Sequence, residues 1–178
     1  MNSARVLADA LTLTRGLSGA LLVWLGWSSG ALPWALATLV FAWSADILDG
    51  AVARCGANPR RSWVGENDLL FDVWVAVGVS GYLTLVGYVP LLVGGSYLVI
   101  AWLPAAYFRS KALAEAAQAV PYASLVLIGL RDAPLYGMLT LVWIGLAVVI
   151  TWPRFPRRQV PEFIGGMREL LGDRRRPR

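Results

Sequence analysis

Apolar residues in this chain come in long uninterrupted runs. No charged residue stands from Gly16 to Ala45, from Val73 to Phe108, from Ala116 to Leu130 or from Ala133 to Pro153. A helix needs about 20 apolar residues to cross a bilayer, so the first two runs are each long enough to cross twice. Ser28-Ser29-Gly30 interrupts the first and Gly87-Tyr88-Val89-Pro90 the second, and clusters of Gly, Ser and Pro are where chain reversals fall. The pattern predicts an all-α fold: a six-helix transmembrane bundle with spans at about 16–29, 32–53, 67–86, 91–108, 112–130 and 134–152. Residues 1–158 form one membrane domain, and 159–178 a basic tail. Short interfacial helices are expected at both ends, the C-terminal one over Pro161–Leu171 with Phe163, Ile164, Met167, Leu170 and Leu171. The first apolar run continues into further spans rather than ending at a processing site, so the first helix is expected to be retained.

Composition supports lipid as the solvent, since 57% of the 178 residues are hydrophobic and only 15% charged. Charge adds an orientation. With those spans, Arg5, Arg15, Arg54, Arg60, Arg61, Arg109, Lys111 and the arginines from Arg154 to Arg178 share one side, and only Arg131 lies opposite. The positive-inside rule makes that side cytoplasmic, with both termini inside. The net charge of +5 does not point to nucleic acid here. Arginine clusters beside a membrane hold anionic headgroups at about 1 kcal/mol per residue, so the expected partners of the tail are membrane lipids. The nine tryptophans read as interfacial belts and lipid-facing bulk.

Candidate chemistry sits in the two helix ends that break the pattern. Asp46 and Asp49 close the second span; Asp68 and Asp72 open the third. An aspartate at the middle of a membrane helix costs roughly 2.5 to 3.5 kcal/mol, less near the interface, and such residues are usually kept for function. Residues three or four apart share a helix face, so Asp46 with Asp49, and Asp68 with Asp72, each form a row, and a short loop returns the two rows to one depth. Helix capping or pairing with Arg54, Arg60, Arg61 and Arg109 would account for one such aspartate. Four at these spacings point to a site. With no histidine and the single cysteine Cys55, zinc and haem lack their common ligands. Oxygen donors suit Mg2+ or Mn2+. A cation or proton pathway is the other use of intramembrane acids. Gly50 and Ala53, small residues beside the acids, leave room for a ligand or for close helix packing. Arg109, Lys111 and Arg15 border spans, where they would hold a phosphate or simply anchor the topology. Gly78 and Gly81 would permit close packing or dimerisation.

The run Asp46-Ile47-Leu48-Asp49-Gly50-Ala51-Val52-Ala53-Arg54, followed by Gly65, Asp68 and Asp72, resembles the signature of the CDP-alcohol phosphatidyltransferases, D-x-x-D-G-x-x-A-R and then G-x-x-x-D-x-x-x-D. Every acidic position is filled. One glycine is displaced, Val64 standing where the pattern has Gly and Gly65 one position late. Ala10-Leu11-Thr12-Leu13-Thr14-Arg15 is similar to the family's N-terminal element without its usual Pro-Asn lead. The resemblance implies that Asp46, Asp49 and Asp68, with Asp72 nearby, hold one or two Mg2+ or Mn2+ ions on the diphosphate of a CDP-activated lipid donor. Asp72 is then the base for a small alcohol or alcohol phosphate acceptor. Asp46, Asp49, Gly50, Ala53 and Arg54 would surround the nucleotide. It further implies a homodimer in a prokaryotic-type plasma membrane, with the active site at the cytoplasmic face. Transfer of a CDP-linked headgroup to a lipid alcohol, a catalytically silent relative and a non-enzymatic cation or proton carrier remain open alternatives.

Overall fold

The structure is a computed structural model. It describes residues 3–55, 68–108, 111–152, 157 and 160–170, with side chains left outside the description at 3–5, 53–55, 68, 104–108 and 169–170. Among the described residues every regular element is helical: α1 (Ser3–Trp27), α2 (Leu32–Cys55), α3 (Asp68–Leu85), α4 (Leu91–Phe108), α5 (Lys111–Asp132), α6 (Pro134–Thr151) and α7 (Val160–Leu170). Four stretches are long and apolar enough to cross a membrane, Val6–Trp27, Leu32–Val52, Lys111–Asp132 and Pro134–Thr151. The described apolar stretches of α3 and α4, Leu69–Leu85 and Leu91–Leu103, are shorter.

One boundary corrects the sequence reading. The first helix starts at Ser3 and not near residue 16, so Arg15 lies well inside it. A charge was expected to end the span. Here it is absorbed by the interior, and no break is needed.

Helices α1, α2 and α3 pack on one another through stripes of helical spacing. On α1 the stripe is Thr12, Arg15, Ser18, Leu22 and Leu25; on α2 it runs Leu32, Ala35, Leu39, Ala42, Ala45 and Asp49; on α3 it is Val75, Val79 and Tyr82, all buried. Glycines let α1 and α3 approach backbone to backbone. A Cβ on Gly78 would lie 2.5 Å from the Gly19 carbonyl oxygen, and one on Gly26 would lie 2.9 Å from Tyr82 Cα. Those contacts rise together along both helices, so α1 and α3 run parallel. Gly78 thus serves packing within the chain, and Gly81 faces Val23 of the same chain.

Helices α4, α5 and α6 lean on this trio, and α7 rests against the start of α5, where a Cβ on Gly166 would meet Ala112. A C-terminal helix is present at Val160–Leu170, where one was expected over Pro161–Leu171. Pro121 inside α5 has no N–H to give the Ala117 carbonyl one turn earlier. The Tyr97 hydroxyl of α4 donates to that carbonyl instead.

The outer surface is apolar, with Leu92 87% and Ile150 71% exposed, which is the surface a bilayer would cover. Trp24, Trp27, Trp34 and Trp74 belong to it. Trp43 and Trp143 do not: their rings stack at 5.7 Å, and Trp43 meets Tyr122 edge-on at 5.4 Å. They fill the space between α2, α5 and α6.

A candidate acidic site around Arg15

The three packed stripes change character along their length. At one end they are aliphatic, closed by the Tyr82 hydroxyl donating to the Gly30 carbonyl at 3.0 Å. At the other end they become polar, with Thr12, Arg15 and Ser18 of α1 opposite Asp46 and Asp49 of α2 and Asp72 of α3. Asp49 continues the buried face of α2, one heptad past Ala42, and Asp72 precedes Val75 and Val79 on α3. Helix periodicity therefore delivers the acids to the same interior as the core.

Arg15 is the centre of this layer. Its side chain is only 2% exposed, and its guanidinium is paired with Asp46, 3.2 Å from an oxygen of Asp72 and 3.7 Å from one of Asp49. The Thr12 hydroxyl donates to Asp49 at 2.9 Å. Tyr122 of α5 reaches across and donates to the main-chain carbonyl of Asp72 at 3.3 Å. Access is graded: the Asp46 side chain is 48% exposed, that of Asp72 31% and that of Asp49 11%. One charge stands among three, so the described cluster carries an excess of two negative charges if all three acids are ionised.

Of the residues marked by sequence, Asp46, Asp49, Asp72 and Arg15 are brought together. Gly50 follows on the same helix, half-buried. Lys111 lies elsewhere, exposed and ion-paired with Glu115 at 3.5 Å one turn along α5. Asp68 begins α3, but its side chain, like those of Ala53 and Arg54, is outside the described residues, as are Arg109, Val64, Gly65 and the tail from 171. Sequence reasoning missed Thr12 and Tyr122. The signal for Thr12 was its place one turn before Arg15; no comparable signal marks Tyr122.

Among the described residues no group of three or more acidic, histidine or cysteine side chains is gathered closely enough to hold a metal ion alone. The donors still fit a hard divalent ion in kind, because all are carboxylate oxygens. Arg15 occupies the position between them, so an ion would share these carboxylates with the guanidinium.

Beside the cluster, side chains of α1 and α3 line an open apolar groove of about 570 Å³, Leu13, Leu17, Leu70, Phe71 and Trp74 among them. Its walls come from the same helical turns as Arg15 and Asp72. Comparison of the chain with protein-family models, with characterised proteins and with solved structures gives no match in any of the three.

Proposed function

We propose that this protein is a multi-pass membrane enzyme transferring a phosphatidyl group from CDP-diacylglycerol to the hydroxyl of a small alcohol or alcohol phosphate, releasing CMP. The observation that carries the proposal is the convergence of Asp46, Asp49 and Asp72 on one buried arginine, at one end of an otherwise apolar helix trio. The acidic spacing shared with the CDP-alcohol phosphatidyltransferases supplies the reaction class. In this reading α1 to α6 all cross the bilayer, the acidic end faces the cytoplasm, and the protein is a homodimer.

Phosphoryl transfer asks a protein mainly for positioning and charge neutralisation. Asp46, Asp49 and Asp72, together with Asp68, would hold Mg2+ or Mn2+, which neutralises the donor diphosphate when bound. Asp72 takes the proton of the acceptor hydroxyl while the new O–P bond forms and the bond to CMP breaks. Arg15 keeps Asp72 and Asp46 at a fixed separation, and Thr12 orients Asp49. Gly50, Ala53 and Arg54 border the nucleotide. An acyl chain of the donor lies in the groove between α1 and α3, so its headgroup reaches the acids without the lipid leaving the bilayer.

The test is CMP release by purified protein from CDP-diacylglycerol, with Mg2+ or Mn2+ and a panel of acceptors. Turnover should need donor, acceptor and metal together, and Asp72→Asn should lower it by about 10² to 10⁴-fold. A folded protein that releases no CMP with any acceptor overturns the proposal. Activity with CDP-linked headgroups and diacylglycerol would replace it with the reverse division of labour. Ion flux through vesicles without nucleotide would replace it with a carrier.

A further inference from the structure

Two buried polar donors on neighbouring helices have no hydrogen-bond partner among the described residues: Nε1 of Trp102 on α4 and Nε2 of Gln118 on α5. Helix rise places them at one depth. Trp102 stands six residues before the end of α4 and Gln118 seven after the start of α5, about 9 and 10 Å from the same end of the pair. The two helices are tied there by the Tyr97 hydroxyl on the Ala117 carbonyl, the residue before Gln118. Gln118 also precedes Tyr122 by one turn and shares its face, and the Tyr122 hydroxyl sits on the Asp72 carbonyl. Side chains on a helix lean toward its N-terminus, so Tyr122 covers the turn that carries Gln118. Native proteins seldom leave buried donors unmatched, least of all where lipid supplies no water.

We propose that Trp102 and Gln118 are specificity-determining residues for the acceptor, donating hydrogen bonds to the oxygens of a polyol bound between α4 and α5 beside Asp72. This rests on the transferase reading above and narrows its substrate class. An indole N–H only donates, so it matches a hydroxyl oxygen and has nothing to offer an ammonium group. The chemistry favours a polyol or its phosphate over an amino alcohol such as ethanolamine, which keeps only an ammonium once its hydroxyl reacts. The polyol accepts from Trp102 and Gln118 while the hydroxyl that reacts gives its proton to Asp72.

The test pairs kinetics with a direct view of the indole. Acceptor KM is measured for wild type, Gln118→Leu and Trp102→Phe, and the protein with ¹⁵N-labelled tryptophan, in nanodiscs, is titrated with glycerol 3-phosphate, inositol phosphate and ethanolamine. Trp102→Phe assigns the resonance. Each variant should raise the polyol KM about tenfold, the worth of one strong hydrogen bond, and leave the KM for CDP-diacylglycerol unchanged. The Trp102 N–H resonance should move with polyols and stay still with ethanolamine. Turnover with unchanged acceptor KM in both variants, as when ordered water alone meets these donors, overturns the inference; so does a preference for ethanolamine. A resonance that moves with polyols in a protein releasing no CMP would keep the polyol site and sink the transferase reading. Neither turnover nor a shift overturns both.

Discussion

At the scale of single residues, Arg15 decides how the acids coexist. Three carboxylates drawn around one buried guanidinium repel one another, and a guanidinium with five fixed donors can meet several oxygens at once. Removing one partner of a buried ion pair is costly because the others keep their charge without compensation. Arg15→Met should therefore destabilise the protein by about 3 to 5 kcal/mol, read as a lower unfolding midpoint in detergent. Added Mg2+ should restore more of that loss in the variant than it adds to wild type. Equal Mg2+ effects in both would show that the carboxylates do not take up the ion. The aspartates were legible because four acids among apolar residues are conspicuous and their spacing is helical. The role of Arg15 was not, because an arginine at the edge of an apolar run conventionally marks a boundary. Its register with Ser18, Leu22 and Leu25 was nevertheless in the chain.

At the scale of helices, the site depends on contacts that carry no chemistry. Gly19 and Gly78 set the α1–α3 crossing one turn beyond Arg15, and a Cβ at Gly78 would meet backbone that cannot rotate away. Gly78→Val should cost about 1 to 3 kcal/mol by overpacking and, by prising α1 from α3, should lower CMP release more than Gly81→Val, whose site has ordinary room at 3.5 Å. Equal losses in the two variants would argue that the crossing does not govern the acidic layer. The Pro121 gap is a second such contact. Tyr97→Phe leaves the Ala117 carbonyl without its donor and should destabilise by about 1 to 3 kcal/mol, whereas Ser96→Ala, on an exposed hydroxyl bonded to Val93, should change the unfolding midpoint little. The helices themselves were legible as uncharged runs divided at 28–30 and 87–90. The pairing of Tyr97 with a proline twenty-four residues on was not, since nothing in either local pattern announces a vacancy in another helix.

At the scale of the whole molecule, an apolar exterior encloses an aliphatic core at one end and an ionic layer at the other. That division could be anticipated from where the aspartates fall in the runs; the inward turn of Trp43 and Trp143 could not, because a tryptophan in an apolar helix suits lipid and protein equally. The bounds of α3 and α4 were legible in the runs: spans expected at 67–86 and 91–108 are helices at Asp68–Leu85 and Leu91–Phe108. The burial of Arg15 bears finally on how the protein is made. In a bilayer an arginine near the middle of an isolated helix costs roughly 2.5 to 3.5 kcal/mol on insertion scales, and its partners at Asp46, Asp49 and Asp72 are synthesised after it. A fragment ending after α1 should therefore insert less completely than one extending through α3, as glycosylation mapping of stepwise truncations would measure, and Arg15→Leu should abolish the difference. Assembly would then run against sequence order, α1 settling into lipid only once α3 has been made.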